Sequence, residues 1–191
     1  EILVGEESGA TGQVNVSGAN SQLIVEPAVR SDIEIGLAGT GDLTVDNGGR
    51  VEAISLGLGG DSIESGEDPA NEFTGGSGTL TVDGSGSELV LSGSNGDGTG
   101  ADLAVGRAGD GTMSVTNGGS ISVTSQTGTF PGIEIGDQVS SVPASGSVTV
   151  DGAGSSITID GGTSASGYTA VAQQPSCCRL WGGITASRNL L

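Results

Sequence analysis

The sequence has no histidine and no lysine, and its two cysteines stand side by side near the C-terminus as Cys177 and Cys178. Without histidine there is no Ser-His-Asp triad and no imidazole metal ligand. Without lysine there is no Schiff base and no ammonium group to hold a phosphate. Residues 1–172 carry no cysteine, so no disulfide staples them. Aromatic residues are 2 % of the chain, so any core must be built from Val, Ile, Leu and Ala. Proline is scarce at 5 residues, and the 38 glycines follow no every-third-residue rule, which excludes a collagen helix. No apolar run reaches the roughly 18 residues of a membrane-spanning helix.

Positive charge is nearly absent. Five arginines face 23 acidic residues, a net charge of −18. Such a field repels nucleic-acid phosphates and anionic lipid headgroups, so neither nucleic acid nor direct membrane insertion is expected. It suits divalent cations, a saline exterior and colloidal solubility. A leader or an anchor is expected to lie outside these residues.

What the chain does have is a repeat. Five units line up, each with three short apolar segments that alternate inward and outward positions. The first unit has Ile2–Gly5, Gly12–Val16 and Ser21–Val25; the second has Ile33–Gly36, Gly41–Val45 and Gly49–Ala53. The third has Ile54–Gly57, Gly78–Val82 and Ser87–Leu91. The fourth has Leu103–Gly106, Gly111–Val115 and Ser120–Val123, and the fifth has Ile133–Gly136, Gly146–Val150 and Ser155–Ile159. Period-2 alternation means strands with one face inward. Three strands of about 3–5 residues in about 20 residues is the dimension of one β-solenoid coil. One coil buries about six apolar side chains, too few to offset the ordering of about 20 residues, so coils are stable only as neighbours.

Two turn chemistries alternate between the second and third segments. Ser17–Ser21, Asp83–Ser87 and Asp151–Ser155 read SGANS, DGSGS and DGAGS, whereas 46–49 and 116–119 read DNGG and TNGG. The spacing from Val16 to Val82 is 66 residues and from Val82 to Val150 is 68. The true repeat is therefore expected to be a pair of coils. A lone Asn-Gly-Gly suggests a hairpin, but three segments recurring in constant order require stacked coils. Insertions at 61–77, 92–102, 124–132 and 137–145 spare the strands, as expected at solenoid corners.

The pattern begins a sixth unit at Tyr168–Ala172 and then fails. Residues 173–191 hold the only Trp, both Cys and two Arg but no acid, leaving residues 1–172 with 23 acids against three arginines, a net −20. The expected division is a solenoid domain over 1–172, a fragment of a longer array, and a non-repeat tail over 173–191 that is outside the fold or an artefact, such as a shifted reading frame, with a genuine capping segment as the alternative.

The motifs IGLAGTGDLTVDNGGRV (Ile35–Val51) and GSVTVDGAGSSITI (Gly146–Ile159) resemble the repeat of autotransporter (type V secretion) passenger regions and PEP-CTERM-associated bacterial surface proteins. The resemblance covers residues 1–172. It implies an all-β, right-handed parallel β-helix of about five to six coils with three strands each. It also implies export to an extracellular or outer-membrane-associated surface, adjoining repeats in the full-length protein, and no catalytic residue.

The candidate functional residues are few. Outward Glu34 and Glu134 hold equivalent places in separate coils and read as a solvated face. Arg30, Arg50 and Arg107 occur singly, without the Asp cluster that a calcium-assisted polysaccharide-cleaving β-helix would need, so no catalytic set is assigned. No cofactor is expected beyond calcium, whose candidate ligands are Asp97 and Asp102 in the segment Asn95–Asp102, with a second acidic loop at Glu64, Glu67, Asp68 and Glu72. Neither the EF-hand spacing nor the calcium-binding nonapeptide repeat is present. Asn15, Thr44, Thr81, Ser114 and Thr149 form an outward hydroxyl ladder, a regular array of the kind that holds ice or glycan, with no matching array on the neighbouring strands. Phe73, Phe130 and Tyr168 fall in loops or at the end. The expected role is a non-enzymatic stalk or adhesin-like passenger segment whose partners are a host surface, matrix glycan or other surface proteins. The alternatives are a polysaccharide-active β-helix enzyme and a calcium-dependent or ice- or glycan-binding solenoid.

Overall fold

The computed structural model describes residues 1–26, 31–60, 75–94, 100–125, 132–136 and 143–160, with the backbone of Tyr168–Val171 and Ile184–Ala186. The described residues are all β, in three parallel sheets stacked as a β-solenoid with three strands per coil. Sheet 1 contains β1 (Ile2–Val4), β4 (Asp32–Ile35), β7 (Ser55–Leu58), β10 (Asp102–Val105), β13 (Gly132–Ile135) and β16 (Tyr168–Val171). Sheet 2 contains β2 (Thr11–Ser17), β5 (Thr40–Asp46), β8 (Ser77–Asp83), β11 (Asp110–Thr116) and β14 (Ser145–Asp151). Sheet 3 contains β3 (Gln22–Ile24), β6 (Arg50–Ala53), β9 (Glu88–Gly93), β12 (Ser120–Ser125), β15 (Ser156–Asp160) and β17 (Ile184–Ala186). Each strand pairs with its equivalent one coil away. The last of them, β17, lies within the tail 173–191 and extends sheet 3 beside β15.

The inward residues stack in columns. Val14, Leu43, Leu80, Met113 and Val148 form one, and Val16, Val45, Val82, Val115 and Val150 the next. Leu43, Val45, Val51 and Ala53 are all buried, and Thr44 and Glu52 between them are half-exposed, as the alternation requires. With so few aromatics, same-size aliphatic columns fill the interior, and each side chain covers its counterpart above and below.

Two details differ from the pattern read in the sequence. The strands of sheet 2 are seven residues long, not three to five. In the third coil, Leu56 and Leu58 pair with Ile33 and Ile35. The segment in register is therefore Leu56–Gly59, two residues beyond Ile54–Gly57. A slip of two leaves the inward–outward alternation unchanged, so period alone does not detect it. The glycine that ends the strand does. Gly5, Gly36, Gly59, Gly106 and Gly136 all have φ between 64° and 74°, whereas Gly57 is absent from the positive-φ set.

The alternating turn classes interlock. In the Asn-Gly-Gly corners, Asn47 and Asn117 adopt φ of 51° and 52°, a left-handed conformation that asparagine tolerates. Asn47 Nδ2 donates back to Ser17 Oγ (3.2 Å), and Asn117 Nδ2 donates back to an Asp83 carboxylate oxygen (2.6 Å). The next residue donates forward: Gly48 N–H to Ser87 Oγ and Gly118 N–H to Ser155 Oγ, both at 3.0 Å. Ser87 and Ser155 in turn close their own corners by donating to the carbonyls of Asp83 and Asp151 (2.6 Å each). The Asn-Gly-Gly class donates to side-chain oxygens of both neighbours, while the five-residue class returns only backbone bonds, Gly18 N–H to the Asp46 carbonyl and Gly84 N–H to the Thr116 carbonyl, and this asymmetry is the physical content of the two-coil repeat.

Ser87 is 0 % exposed. Ser87→Ala removes both bonds and leaves the Gly48 N–H without its acceptor in a water-poor corner. The expected loss of unfolding free energy is about 1–3 kcal/mol. Ser21→Ala, at the first coil, removes only the bond to the Ser17 carbonyl and is expected to cost about 1 kcal/mol or less. Urea denaturation of the two variants checks the ratio.

Candidate functional site

Two outward surfaces carry the polar groups that could act. The first is the outer face of sheet 2. Asn15, Thr44, Thr81, Ser114 and Thr149 are aligned by register into one ladder across all five strands. A second rank runs beside it on the same strands: Gln13, Asp42, Thr79, Thr112 and Ser147. The outer face of sheet 2 therefore carries two parallel ranks, because the outward positions of one strand lie two residues apart. Strand geometry fixes the grid at about 4.8 Å between coils and about 6.7 Å along each strand. Asn15 and Thr149 are exposed and the three members between them half-exposed.

A carboxylate row borders this grid at Asp46, Asp83 and Asp151, with Thr116 between the last two. Asp83 accepts hydrogen bonds from Thr116 Oγ1 and Asn117 Nδ2 (2.6 Å each), which hold its pKa below the ordinary carboxylate value.

The second surface is the outer face of sheet 1, and it is unlike the other two. Asp32 (2 % exposed), Glu34 (3 %) and Ser55 point away from the core yet are buried. The segments 27–30, 61–74, 95–99, 126–131, 137–142 and 161–167, outside the described residues, each join a sheet 1 strand to its chain neighbour. Ser55 Oγ donates to Asp32 Oδ1. Glu34 extends over Gly57 of the next coil, where an added Cβ would meet its carboxylate. The reading of Glu34 and Glu134 as a solvated face is thereby corrected: Glu34 is buried, and Glu134 is half-buried with a water-shielded Oε2. Gly57 and Ala104 separate them in the column, about 14 Å at the strand spacing, so the two do not form a pair.

The pair that does form was not read from the sequence. Asp102 and Glu134 lie on adjacent strands, Asp102 opposite Gly132 and Glu134 opposite Ala104. Asp102 is half-buried as a residue, and its carboxyl group is deeper than that average. Its pKa is raised to about 7. Desolvation is the main cause and the Glu134 charge adds to it, while Arg107 and the Leu103 N–H pull the other way. Arg107 Nη1 is buried without a hydrogen-bond partner among the described residues. Chemically, this group holds and releases a proton near neutrality beside a second carboxylate and a guanidinium. A sequence signal existed: the pattern Asp-apolar-x-apolar-Gly occurs at 32–36 and again at 102–106.

For the remaining sequence candidates, Asp102 is on the face just described, and Asp97, Glu64, Glu67, Asp68 and Glu72 lie outside the described residues, as do Arg30, Phe73 and Phe130. Among the described residues, no three His, Cys, Asp or Glu side chains are grouped to hold a metal ion. Arg50 is not single: it pairs with Glu88 of the next coil and with Glu52 (3.0 Å). Among the described residues, no helix is long and apolar enough to cross a membrane. What the fold defines is a class, the parallel β-solenoid with three sheets. Comparison with protein-family models, curated proteins and solved structures returns no match.

Proposed function

We propose that this chain is a segment of an extracellular or cell-surface β-solenoid that acts as a structural stalk or adhesin-like passenger, without catalysis, and that adjoining repeats continue it. The observation that supports this reading is the in-register column structure: sheet 2 keeps the same seven-residue register across all five of its strands. Such an array is a quasi-one-dimensional rod, in which length and a repeated outer surface are what the sequence has specified. The acidic composition fits a solvated exterior, and the resemblance to passenger repeats points to the same place.

On this reading, matrix glycan or another surface protein is met by the outer face of sheet 2. Deleting residues 1–172 from the full-length surface protein should reduce cell attachment or aggregation, and unchanged attachment would count against the proposal. A finer test replaces Thr81 and Thr149 by lysine. Both side chains point outward, so melting temperature should change by no more than about 2 °C, the size expected for surface changes of about 0.5 kcal/mol. Retention on immobilised glycan should fall severalfold. Retention equal to that of the parent would remove the sheet 2 face from the proposal.

A second reading, a polysaccharide-active β-helix enzyme, is favoured by one observation: a carboxyl group that holds its proton near neutrality next to another carboxylate, as glycoside hydrolysis demands. Incubation with acidic and neutral polysaccharides separates the two. Products released by the parent and absent with Asp102→Asn would displace the stalk reading.

A further inference from the structure

The first coil is unfinished on its outer side, and its chemistry specifies what would finish it. Strands β1, β2 and β3 are the edge strands of the three sheets at one and the same end of the stack. Ile2, Val14 and Leu23 pack inward but are only half-buried, whereas Ile33, Leu43 and Val51, their register partners one coil on, are 0–1 % exposed. Among the described residues, that end therefore presents three unpaired strand edges around an apolar centre, the arrangement on which a further strand or coil is added in register.

The corner selects the class of coil. At each of the four junctions between successive described coils, the Asn-Gly-Gly corner donates to a side-chain oxygen of the five-residue corner; at the first and third, where the five-residue corner comes first in the chain, its glycine also donates forward, Gly18 N–H to the Asp46 carbonyl and Gly84 N–H to the Thr116 carbonyl. The bonds to side-chain oxygens are Asn47 to Ser17, Gly48 to Ser87, Asn117 to Asp83 and Gly118 to Ser155. Ser21 occupies in the first coil the place of Ser87 and Ser155. Its hydroxyl donates to the Ser17 carbonyl (2.7 Å), as theirs do to Asp83 and Asp151. Among the described residues, no amide reaches Ser21 Oγ from the other side. At the opposite end of sheet 2, Asp151 holds the place of Asp83 and Ser17, again as an acceptor.

We infer that the edge formed by β1, β2 and β3 is a docking surface for one further solenoid coil of the Asn-Gly-Gly class, whose second corner residue donates its N–H to Ser21 Oγ. Selection of the coil class lies in the acceptor side of Ser21 Oγ, which a corner without the matching N–H would cover and leave unmet, a device that rejects the wrong partner more than it strengthens the right one.

The test extends the full chain by one coil. Residues 31–54, which contain the 46–49 corner, are placed directly before Glu1, so that Glu1 follows Ile54 as Ser55 does in the parent. A second extension is identical except that its Asn-Gly-Gly is replaced by Gly-Ala-Asn-Ser, the 18–21 corner. The expected result is a melting temperature higher by about 2–4 °C for the first extension than for the second, the shift given by about one hydrogen bond in a chain of this size. Ser21→Ala in both backgrounds should erase that difference. Equal melting temperatures for the two extensions, or no gain over the parent with either, would overturn the inference. So would a difference that persists with Ser21→Ala.

Discussion

Gly106→Ala is expected to destabilise the solenoid by more than about 3 kcal/mol and to open its last described coil first. Gly106 ends β10 at φ 71°, and a Cβ there would overlap the Ser145 carbonyl of the next coil and approach Gly146 N. The contact is backbone on backbone, so no side chain can rotate away. The whole column is built this way: Gly5, Gly36 and Gly59 would each drive a Cβ into a carbonyl of Thr40, Ser77 and Asp110. Chain passes from sheet 1 to sheet 2 here so closely that only hydrogen fits. Left-handed strain alone is worth about 1 kcal/mol for alanine, and Gly9 provides that reference, with φ 79° and nothing within 4 Å. Gly9→Ala should therefore cost about 1 kcal/mol. Urea midpoints measure the two losses, and amide exchange should show β13, β14 and β15 losing protection before β5 and β8 in Gly106→Ala. Equal losses at the two sites would mean that the corner can relax and that close approach does not set the coil spacing.

These glycines also mark how far the fold was legible from residues alone. Alternation of Val, Leu and Ile identified which positions face inward, and the order of the segments required stacking, because both are local consequences of a period of two. The register given to Ile54–Gly57, three of whose residues lie in β7, was off by two because alternation is indifferent to such a shift; the left-handed glycine that fixes the register is a matter of backbone angle. The alternation of Asn-Gly-Gly with Asp-Gly-x-Gly-Ser was visible, but its reason lies in hydrogen bonds between residues 30 to 39 positions apart. The ladder at Asn15, Thr44, Thr81, Ser114 and Thr149 was legible for the same reason as the core. Its companion rank lies at the first outward position of the same five-residue segments, Gly12–Val16 and its equivalents.

The outer face of sheet 1 was misread for a different cause. Outward parity on a strand implies water only when nothing lies over the sheet, and Asp32, Glu34 and Ser55 are outward and buried at once. Parity is a property of one strand, whereas burial is a property of everything packed against it. Asp102 and Glu134 come together on adjacent coils, 32 residues apart in the chain, at different positions of the same x-apolar-x-apolar-Gly segment, so the repeat alone does not pair them.

Asp102→Asn is expected to stabilise the protein increasingly as pH rises from about 4 to about 7, with no further gain above. The folded-state pKa is raised from 3.8 to about 7, so the fold disfavours the charged form. Below pH 3.8 the carboxyl is protonated in both folded and unfolded chains and carries no electrostatic penalty. Between the two values the folded chain keeps a proton that the unfolded chain has released, and stability falls as pH rises. Above about 7 the group is ionised in both states and the full penalty stands. At about 1.4 kcal/mol per unit that penalty is at most about 4 kcal/mol, and less for a side chain that keeps part of its surface in water. Asparagine removes the charge while its carbonyl oxygen can still accept the Leu103 N–H. The difference in urea midpoint between variant and parent, followed from pH 4 to pH 8.5, should trace this titration. Glu134→Gln should move its centre to lower pH by removing a like charge, and Arg107→Gln should move it higher by removing the compensating one. A difference that is flat with pH would show that the carboxyl is ionised in the fold throughout, and the proton-holding character of this face, with the second functional reading that depends on it, would fall together.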